Sequence, residues 1–599
     1  MCFVGAAVAA VVAGTVLAVR LSWTCDDAYI TFRYADNLAR GHGLVFNAGE
    51  RVEGFTNLLW TLWAAVGLAF GAPAETWAGV SSIACLAATL ALLARRGWSI
   101  ARGLGVAWPV PIAAVLAAVH HEGAVFATSG LETSAFTLLA FAGYLLVCPA
   151  AAAPTGDSRA AESRDGSASI DASGTEAPAT RPRGRASTRR LFAGGVLLAL
   201  ASLTRPDGVL FAAVCGAWLL AGRNERGPWV LGGREVRGIW TLGDRDVRGA
   251  LALAAGFAAL WLPATIWRVA YYGDLFPNTY YAKSAALPWW SQGAFYAKIY
   301  FARYWPLALA IPCALVARPR RQVALELGLA AVYVLYVMRV GGDFMFGRLL
   351  VPVTPFLAIA VERGLDGLLA RRPVVRAAVT AALVVGMLVT PSAVERHQRP
   401  RGITDERDAY LVVLAGWADR ADANGATLAR LFDGLPITVC FFGAQARLVY
   451  RSRVATAIEC ETGLTDAAIA RQPLGERGRV GHEKHAPLPY LLARHVDFVL
   501  TRDYANTTLG LDAALPNVPI DLGKIGGRVI TWDPAIMGAL AARGVIVPDV
   551  PGQIDRAIAA MPARSDADVR RDWERYRRLY FDRVPDPARE APFRARLHL

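Results

Sequence analysis

Lysine is nearly missing from this sequence. Of 63 basic residues in a chain of 599, only Lys283, Lys298, Lys484 and Lys524 are lysines, so the formal net charge of +14 is carried almost wholly by arginine. In a chain rich in apolar runs, such arginine is topogenic charge at helix ends, which excludes a reading as nucleic-acid binding. The eight cysteines show no zinc-type spacing, which excludes a zinc module. Cys85, Cys148, Cys215 and Cys313 lie in or beside apolar helices as small core residues. Cys440 and Cys460 fall in the polar last third, where export would allow a disulfide without requiring one. There is no internal repeat, which counts against a transporter built from inverted halves. No basic start precedes the apolar run 3–19, and no small-x-small cleavage site precedes Asp26, so a retained helix is expected there rather than a cleaved signal peptide.

What is present is hydrophobic: 55% of residues, with mean hydropathy +0.34. Spanning runs are read at 3–19, 77–94, 104–119, 131–148, 249–269, 305–317, 323–338, 349–363 and 374–390. The tryptophan-rich run 56–71 is short for a crossing, and two further short helices, 191–203 and 208–221, are broken at TRPDG. The expected fold is a polytopic α-helical membrane protein of about eleven spans over residues 1–391, followed by a soluble α/β or α+β domain over 392–599. The second part draws its strands from PITVCFFG, VDFVLTRDY and GRVITW. Residues 149–190 are low in complexity and read as a disordered cytoplasmic loop. Arginine-dense segments at 95–102, 181–190, 222–248, 317–321 and 363–376 are assigned to the cytoplasm, which puts the carboxyl domain outside.

That count places DDAYITFR, HHEGAVFATSGLET, TRPDG, GDLFPNTYYAK and GGDFMFGR together on the outer face. The adjacent Asp26 and Asp27 sit where a carboxylate is costly unless solvated, paired or metal-bound, so they head the candidate site. An N-cap needs only one aspartate. Arg33, Arg205, Lys283 and Arg348 are the candidates for holding a phosphate, since guanidinium forks match its oxygens and lysine serves as a point charge. Glu53, Glu132, Asp207 and Asp343 are supporting acids. His120 and His121 read as satisfied interfacial histidines, and RGRVGHEKHAP as a structured loop with gripping a glycan as its secondary role. The basic, aromatic carboxyl end reads as a contact for lipid or glycan, or as a solvated helix.

The wording DDAYITFRYADNLARGHGLVFNAGERVEGFTN, with SGLET, TRPDG, YYGDLFPNTYYAK, GGDFMFGR and RGRVGHEKHAP, resembles the GT-C superfamily of membrane glycosyltransferases. It is similar to the terminal β-(1→2)-arabinofuranosyltransferases of the mycobacterial cell wall and their proteobacterial relatives. The resemblance implies a multi-pass enzyme of the bacterial inner membrane with its carboxyl domain outside. It would move a sugar from a polyprenyl-phosphate donor to an envelope glycan, with inversion, and touch the lipid bilayer but no nucleic acid. In the similar enzymes the sugar is arabinofuranose and the acceptor an arabinan. The insert 149–190 departs from that pattern and no arabinan-specific feature is found, which leaves the sugar open. The family's catalytic base falls on Asp26 or Asp27, with Asp26 preferred as nearer the first span. GT-C enzymes differ in metal dependence; the sequence requires no cofactor, and Asp26 and Asp27 are the residues that would hold a divalent ion. Outside the cytoplasm there are no nucleotide sugars, so such chemistry needs a lipid-linked donor, a base for the acceptor hydroxyl and cations for the leaving phosphate. The alternatives are a non-enzymatic carrier or transporter of lipid-linked sugar, or an oligosaccharide ligase or polymerase.

Overall fold

The computed structural model describes residues 2–149, 187–221, 229–231, 234–236, 246–394, 399–413, 415–501 and 518–599. The expected disordered loop 149–190 lies almost wholly outside these. Four helices are long and apolar enough to cross a membrane: Phe3–Arg20, Ala74–Gly103, Val247–Tyr272 and Arg320–Arg339. Shorter apolar helices run Leu58–Ala69, Thr133–Val147, Pro206–Leu220 and Pro373–Val389. The break expected at TRPDG is present: Thr188–Thr204 ends at Arg205, and Pro206–Gly208 forms a tight turn before the next helix.

Three expected features change. The segment 95–102 is no loop but the last turns of Ala74–Gly103. The run 104–119 is helical only over Ile112–Ala118, because Pro109 and Pro111 withhold backbone donors just before it. Its first amides, Ile112 N and Ala113 N, are taken by the buried Glu362 carboxylate at 3.2 and 3.1 Å. Finally, the run 305–317 belongs to a bent pair, Trp290–Arg303 and Trp305–Val316, which turns by 101°.

The carboxyl part holds a five-stranded mixed sheet in the order Thr456–Glu459, Thr438–Phe441, Phe498–Leu500, Gly526–Val529, Pro519–Asp521. The first three strands are parallel and the last two pairings antiparallel. The helix Ala446–Ser452 is the crossover between the two parallel strands at one edge, as parallel pairing demands. All three β-branched runs read in the sequence supply strands. The aromatic carboxyl end is not a free solvated helix: Trp573, Tyr576, Tyr580 and Phe593 are buried in the same core as the sheet.

Cys440 and Cys460 form a disulfide, with Cα atoms 5.9 Å apart. Both are buried. Quantitative thiol labelling of the denatured, unreduced protein is therefore expected to modify the other cysteines and leave these two unlabelled until a reductant is added. Labelling of both without reductant is the contrary result.

The stretch after the first helix is not a free loop. The expected helix over 29–40 forms as Ala28–Ala39, with residues 28–35 buried. Gly41 and Gly43 end it with φ of 82° and 92°, where a side chain would be strained. The following segment lies along the edge strand of the sheet: Asn47 Oδ1 accepts from Ala457 N at 2.9 Å, and Asn47 Nδ2 donates to Ala457 O at 3.0 Å. The membrane-proximal stretch and the carboxyl domain thus share one continuous core.

Candidate active site

Asp26 and Asp27 are adjacent but face different surroundings. Asp26 is 2% exposed. Its two carboxylate oxygens accept from Ala446 N and Arg447 N, each at 2.9 Å. These are amides of the first turn of Ala446–Ser452, which have no partner within their own helix. Burial pushes the Asp26 carboxyl up to about 7, against the pull of the two amides. Asp27 is half-buried and stands at the N-cap position of Ala28–Ala39, yet its side chain accepts no capping hydrogen bond. Among the described residues its carboxylate makes no hydrogen bond or ion pair, and Arg348 and His482 bear on it only through their charge. It opens instead on a cavity of about 300 Å³. The bland reading of Asp27 as a helix cap is thereby removed.

Five of the expected residues meet in a buried ion network. Arg205 donates to Asp207 through Nε at 3.1 Å and Nη2 at 2.9 Å, and its Nη1 lies 3.5 Å from Glu132. Arg348 lies 3.7 Å from Glu132 and 3.5 Å from Asp343. Tyr333 Oη donates to Asp207 at 2.7 Å, and Asn57 Nδ2 to Glu132 at 3.1 Å. The TRPDG, SGLET and GGDFMFGR motifs are thus drawn to one point by Glu132. Two guanidiniums here face three carboxylates, although Arg205 Nη1 and Arg348 Nε donate no hydrogen bond among the described residues.

Arg33 does not reach the site. Its guanidinium donates to the carbonyls of Phe46 at 2.8 Å and Val454 at 2.9 Å, and to Asn47 Oδ1 at 3.3 Å. It pins the first helix after the membrane to the carboxyl domain, and the expected phosphate role is not met by this geometry. Glu53 pairs with Arg268 at 2.8 Å and braces the start of the YYGDLFPNTYYAK loop. His120 is satisfied as expected: Nδ1 accepts from Gly123 N at 2.9 Å, and Nε2 lies 3.0 Å from Tyr300 Oη.

Of the expected cations, Lys283 alone lines the cavity, and it is joined there by Arg399, Arg479 and His482. Among the described residues Lys283 and Arg399 have no ion-pair partner. The loop RGRVGHEKHAP brings Arg479 and His482 in. Lys484 Nζ donates to the carbonyls of Tyr281, at 2.7 Å, and Ala470, tying this loop to the segment that carries Lys283. Gly481 takes φ of 76°, and a Cβ there would stand 3.5 Å from Lys283 Cε. The His482 ring meets Phe344 edge-on, centroids 4.9 Å apart, and Arg479 lies over the same ring at 4.4 Å. The opposite polarity comes from Glu406, Glu459 and Glu461, which also line the cavity. Arg399, Arg479, His482 and the three glutamates were not singled out from sequence. The density of RGRVGHEKHAP was the one signal, and it was read as structural; Glu406 and Glu461 carry no local signature.

A divalent ion does not fit these residues. Among the described residues no three His, Cys, Asp or Glu side chains stand close enough to share one. Both oxygens of Asp26 already accept backbone amides.

The fold is shared with a solved structure. The chain superposes on the apo state of ArnT from Cupriavidus metallidurans with TM-score 0.52, over 88% of this chain and 97% of that one, at 13% identity. The expected helical membrane-protein fold is therefore met in part: the helical fold resembles that of ArnT, whereas four helices, not about eleven, are long and apolar enough to cross a membrane among the described residues. No family model matches the chain. Among curated proteins it is similar to the terminal β-(1→2)-arabinofuranosyltransferase of Mycobacterium tuberculosis, 29% identical over 379 residues, 56% of this chain and 52% of that protein. It is similar also to the enzyme of the same name from Corynebacterium glutamicum, 29% identical over 434 residues, 65% of this chain and 55% of that protein. The chain spans about half the length of the curated relatives it matches.

Proposed function

We propose that this chain is a membrane glycosyltransferase. It moves a sugar from a polyprenyl-phosphate donor to a glycan of the cell envelope at the outer face of the bacterial inner membrane. Arabinofuranose, the sugar in the names of the similar proteins, is the first donor sugar to test. The observation that carries the reading is the Asp27 carboxylate, uncapped and unpaired in a cavity that also holds Lys283 and Arg399. The acceptor hydroxyl attacks the anomeric carbon while Asp27 takes its proton. The bond from that carbon to the phosphate oxygen breaks on the far face, inverting the centre, and its electron pair leaves with the phosphate. Lys283 and Arg399 stabilise the charge that appears there, as preorganised cations in a partly desolvated pocket do. The prenyl tail lies in the bilayer against the apolar helices, which cross the membrane about eleven times in this reading. Asp26 is not the base here: its oxygens are committed to Ala446 and Arg447, so the preference drawn from its place nearer the first span is given up.

Purified full-length protein, given a polyprenyl-phosphoryl arabinofuranose and a short arabinofuranoside acceptor, is expected to lengthen the acceptor by one residue, read by mass spectrometry. Donor binding without transfer, to this or other envelope sugars, would replace this reading with that of a carrier.

A further inference from the structure

Glu406 is 8% exposed, and its Oε2 accepts no hydrogen bond. The nearest cation, Arg479 Nη2, is 3.7 Å away, beyond hydrogen-bond reach. A buried carboxyl oxygen left in that state is costly unless something from outside the chain completes it. It lines the same cavity as Asp27. Its backbone is fixed by the neighbouring Thr404, whose N donates to Phe344 O at 2.8 Å and whose O accepts from Phe346 N at 2.9 Å.

The wall beside it is also built to stay in place. The Glu459 carboxylate accepts from the amides of Glu461 at 2.9 Å, Thr462 at 3.0 Å and Leu464 at 3.2 Å, which closes the turn after the edge strand. The Cys440–Cys460 disulfide ties that turn to the neighbouring strand. The turn sets Glu461 and Thr462 on the cavity, and Tyr410 and Phe441 add aromatic lining.

We infer that this carboxylate-rich wall, centred on Glu406, is the binding site for the acceptor, and that the acceptor is an uncharged sugar recognised through its hydroxyl groups. The inference rests on the transferase reading for the word acceptor. The chemistry that selects the ligand is local. Carboxyl oxygens accept from hydroxyls, and an aromatic wall suits a sugar face. The set does not suit a metal, and the cavity's cations offer the donor phosphate a separate place. Charges bear on Glu406 from several elements: Arg479 and Arg399 favour its ionised form, whereas Asp27 and Asp343 oppose it, and its charge is felt at Tyr410 and Cys25. Burial dominates and pushes the group up to about 8. Below that pH the neutral carboxyl both donates and accepts, as a hydroxyl partner requires. Above it the group becomes an acceptor only and adds charge beside Asp27.

The test uses the full chain in detergent with a neutral oligo-arabinofuranoside as the probe, read twice: by transfer kinetics and, independently of turnover, by saturation-transfer NMR. Glu406→Ala is expected to weaken probe binding and raise acceptor KM about tenfold, leaving donor KM within about twofold. Glu406→Gln, which keeps the shape of the neutral acid, is expected to bind the probe nearly as the unaltered protein does at pH 7. It is also expected to lose the rise in acceptor KM that the unaltered protein shows above pH 8. An unchanged affinity in Glu406→Ala, a change confined to donor KM, or an alkaline rise that persists in Glu406→Gln overturns the inference. Probe binding that depends on Glu406, without transfer, supports the sugar site and sinks the transferase reading; transfer with Glu406-independent binding does the reverse. If the probe neither binds nor is extended, both fall.

Discussion

Asp27→Asn is expected to abolish sugar transfer, a loss of at least about 10²-fold in kcat, with protein level and donor affinity largely kept. Asparagine preserves the size and most of the hydrogen bonding of aspartate but has no basic oxygen. The Asp27 carboxylate holds no partner that the exchange would strand, so the fold has little to lose. Asp26→Asn is expected to behave differently. It places an amide where two backbone N–H groups need acceptors, so one donor is stranded at a cost of about 1–3 kcal/mol, read as a lower midpoint of thermal unfolding. Its effect on kcat follows from loosening of the carboxyl domain. The stability that Asp26 contributes also depends on pH. Its folded value of about 7 lies above the usual 3.8, so between those limits the folded state holds the proton more tightly and stability falls as pH rises. Asp26→Asn flattens that window. Near-normal transfer by Asp27→Asn, alongside a dead but stably folded Asp26→Asn, would reverse the two assignments.

Arg348→Ala is expected to cost about 3–5 kcal/mol of stability, because removing one partner of a buried ion network leaves the rest uncompensated. Arg348 sits between Glu132 and Asp343, and Glu132 also faces Arg205. Loss of the guanidinium leaves three carboxylates facing a single arginine in an environment almost closed to water. The readout is thermal unfolding of detergent-solubilised protein, with donor KM measured on the fraction that stays folded. A pronounced loss of stability with little change in donor KM is the expected pattern. A raised donor KM at unchanged stability would instead make Arg348 a phosphate ligand, the role its sequence context suggested.

The sequence carried the features that arise locally. The helix after the first apolar run, the break at TRPDG and the three short strands all depend on spacing, proline, glycine and β-branching within a dozen residues. Charge alternation along the chain groups the motifs of Glu132, Arg205, Asp207, Asp343 and Arg348, and these five side chains do converge. What no local pattern reveals is which charge satisfies which. Arg33 looks available in sequence because two of its acceptors, the carbonyls of Val449 and Val454, lie more than 400 residues away. Asp26 and Asp27 were nearly equivalent in sequence; only the amides of Ala446 and Arg447 separate them. Glu406 sits in an unremarkable polar stretch, and its importance comes from burial, which is a property of the folded chain. The run 104–119 differs for a simpler reason: it is apolar throughout, but Pro109 and Pro111 keep its first half from being helical.

The contact between Asp26 and the Ala446–Ser452 helix also sets a timetable. Asp27 stands beside Asp26 at the start of Ala28–Ala39. The amides that hold its neighbour are 420 and 421 positions further along, and His482 and Arg479 later still. Throughout insertion of the helices the nascent chain therefore carries an aspartate pair with no opposite wall. The cavity that Asp27 opens on is completed only when the carboxyl domain packs back onto Asp26.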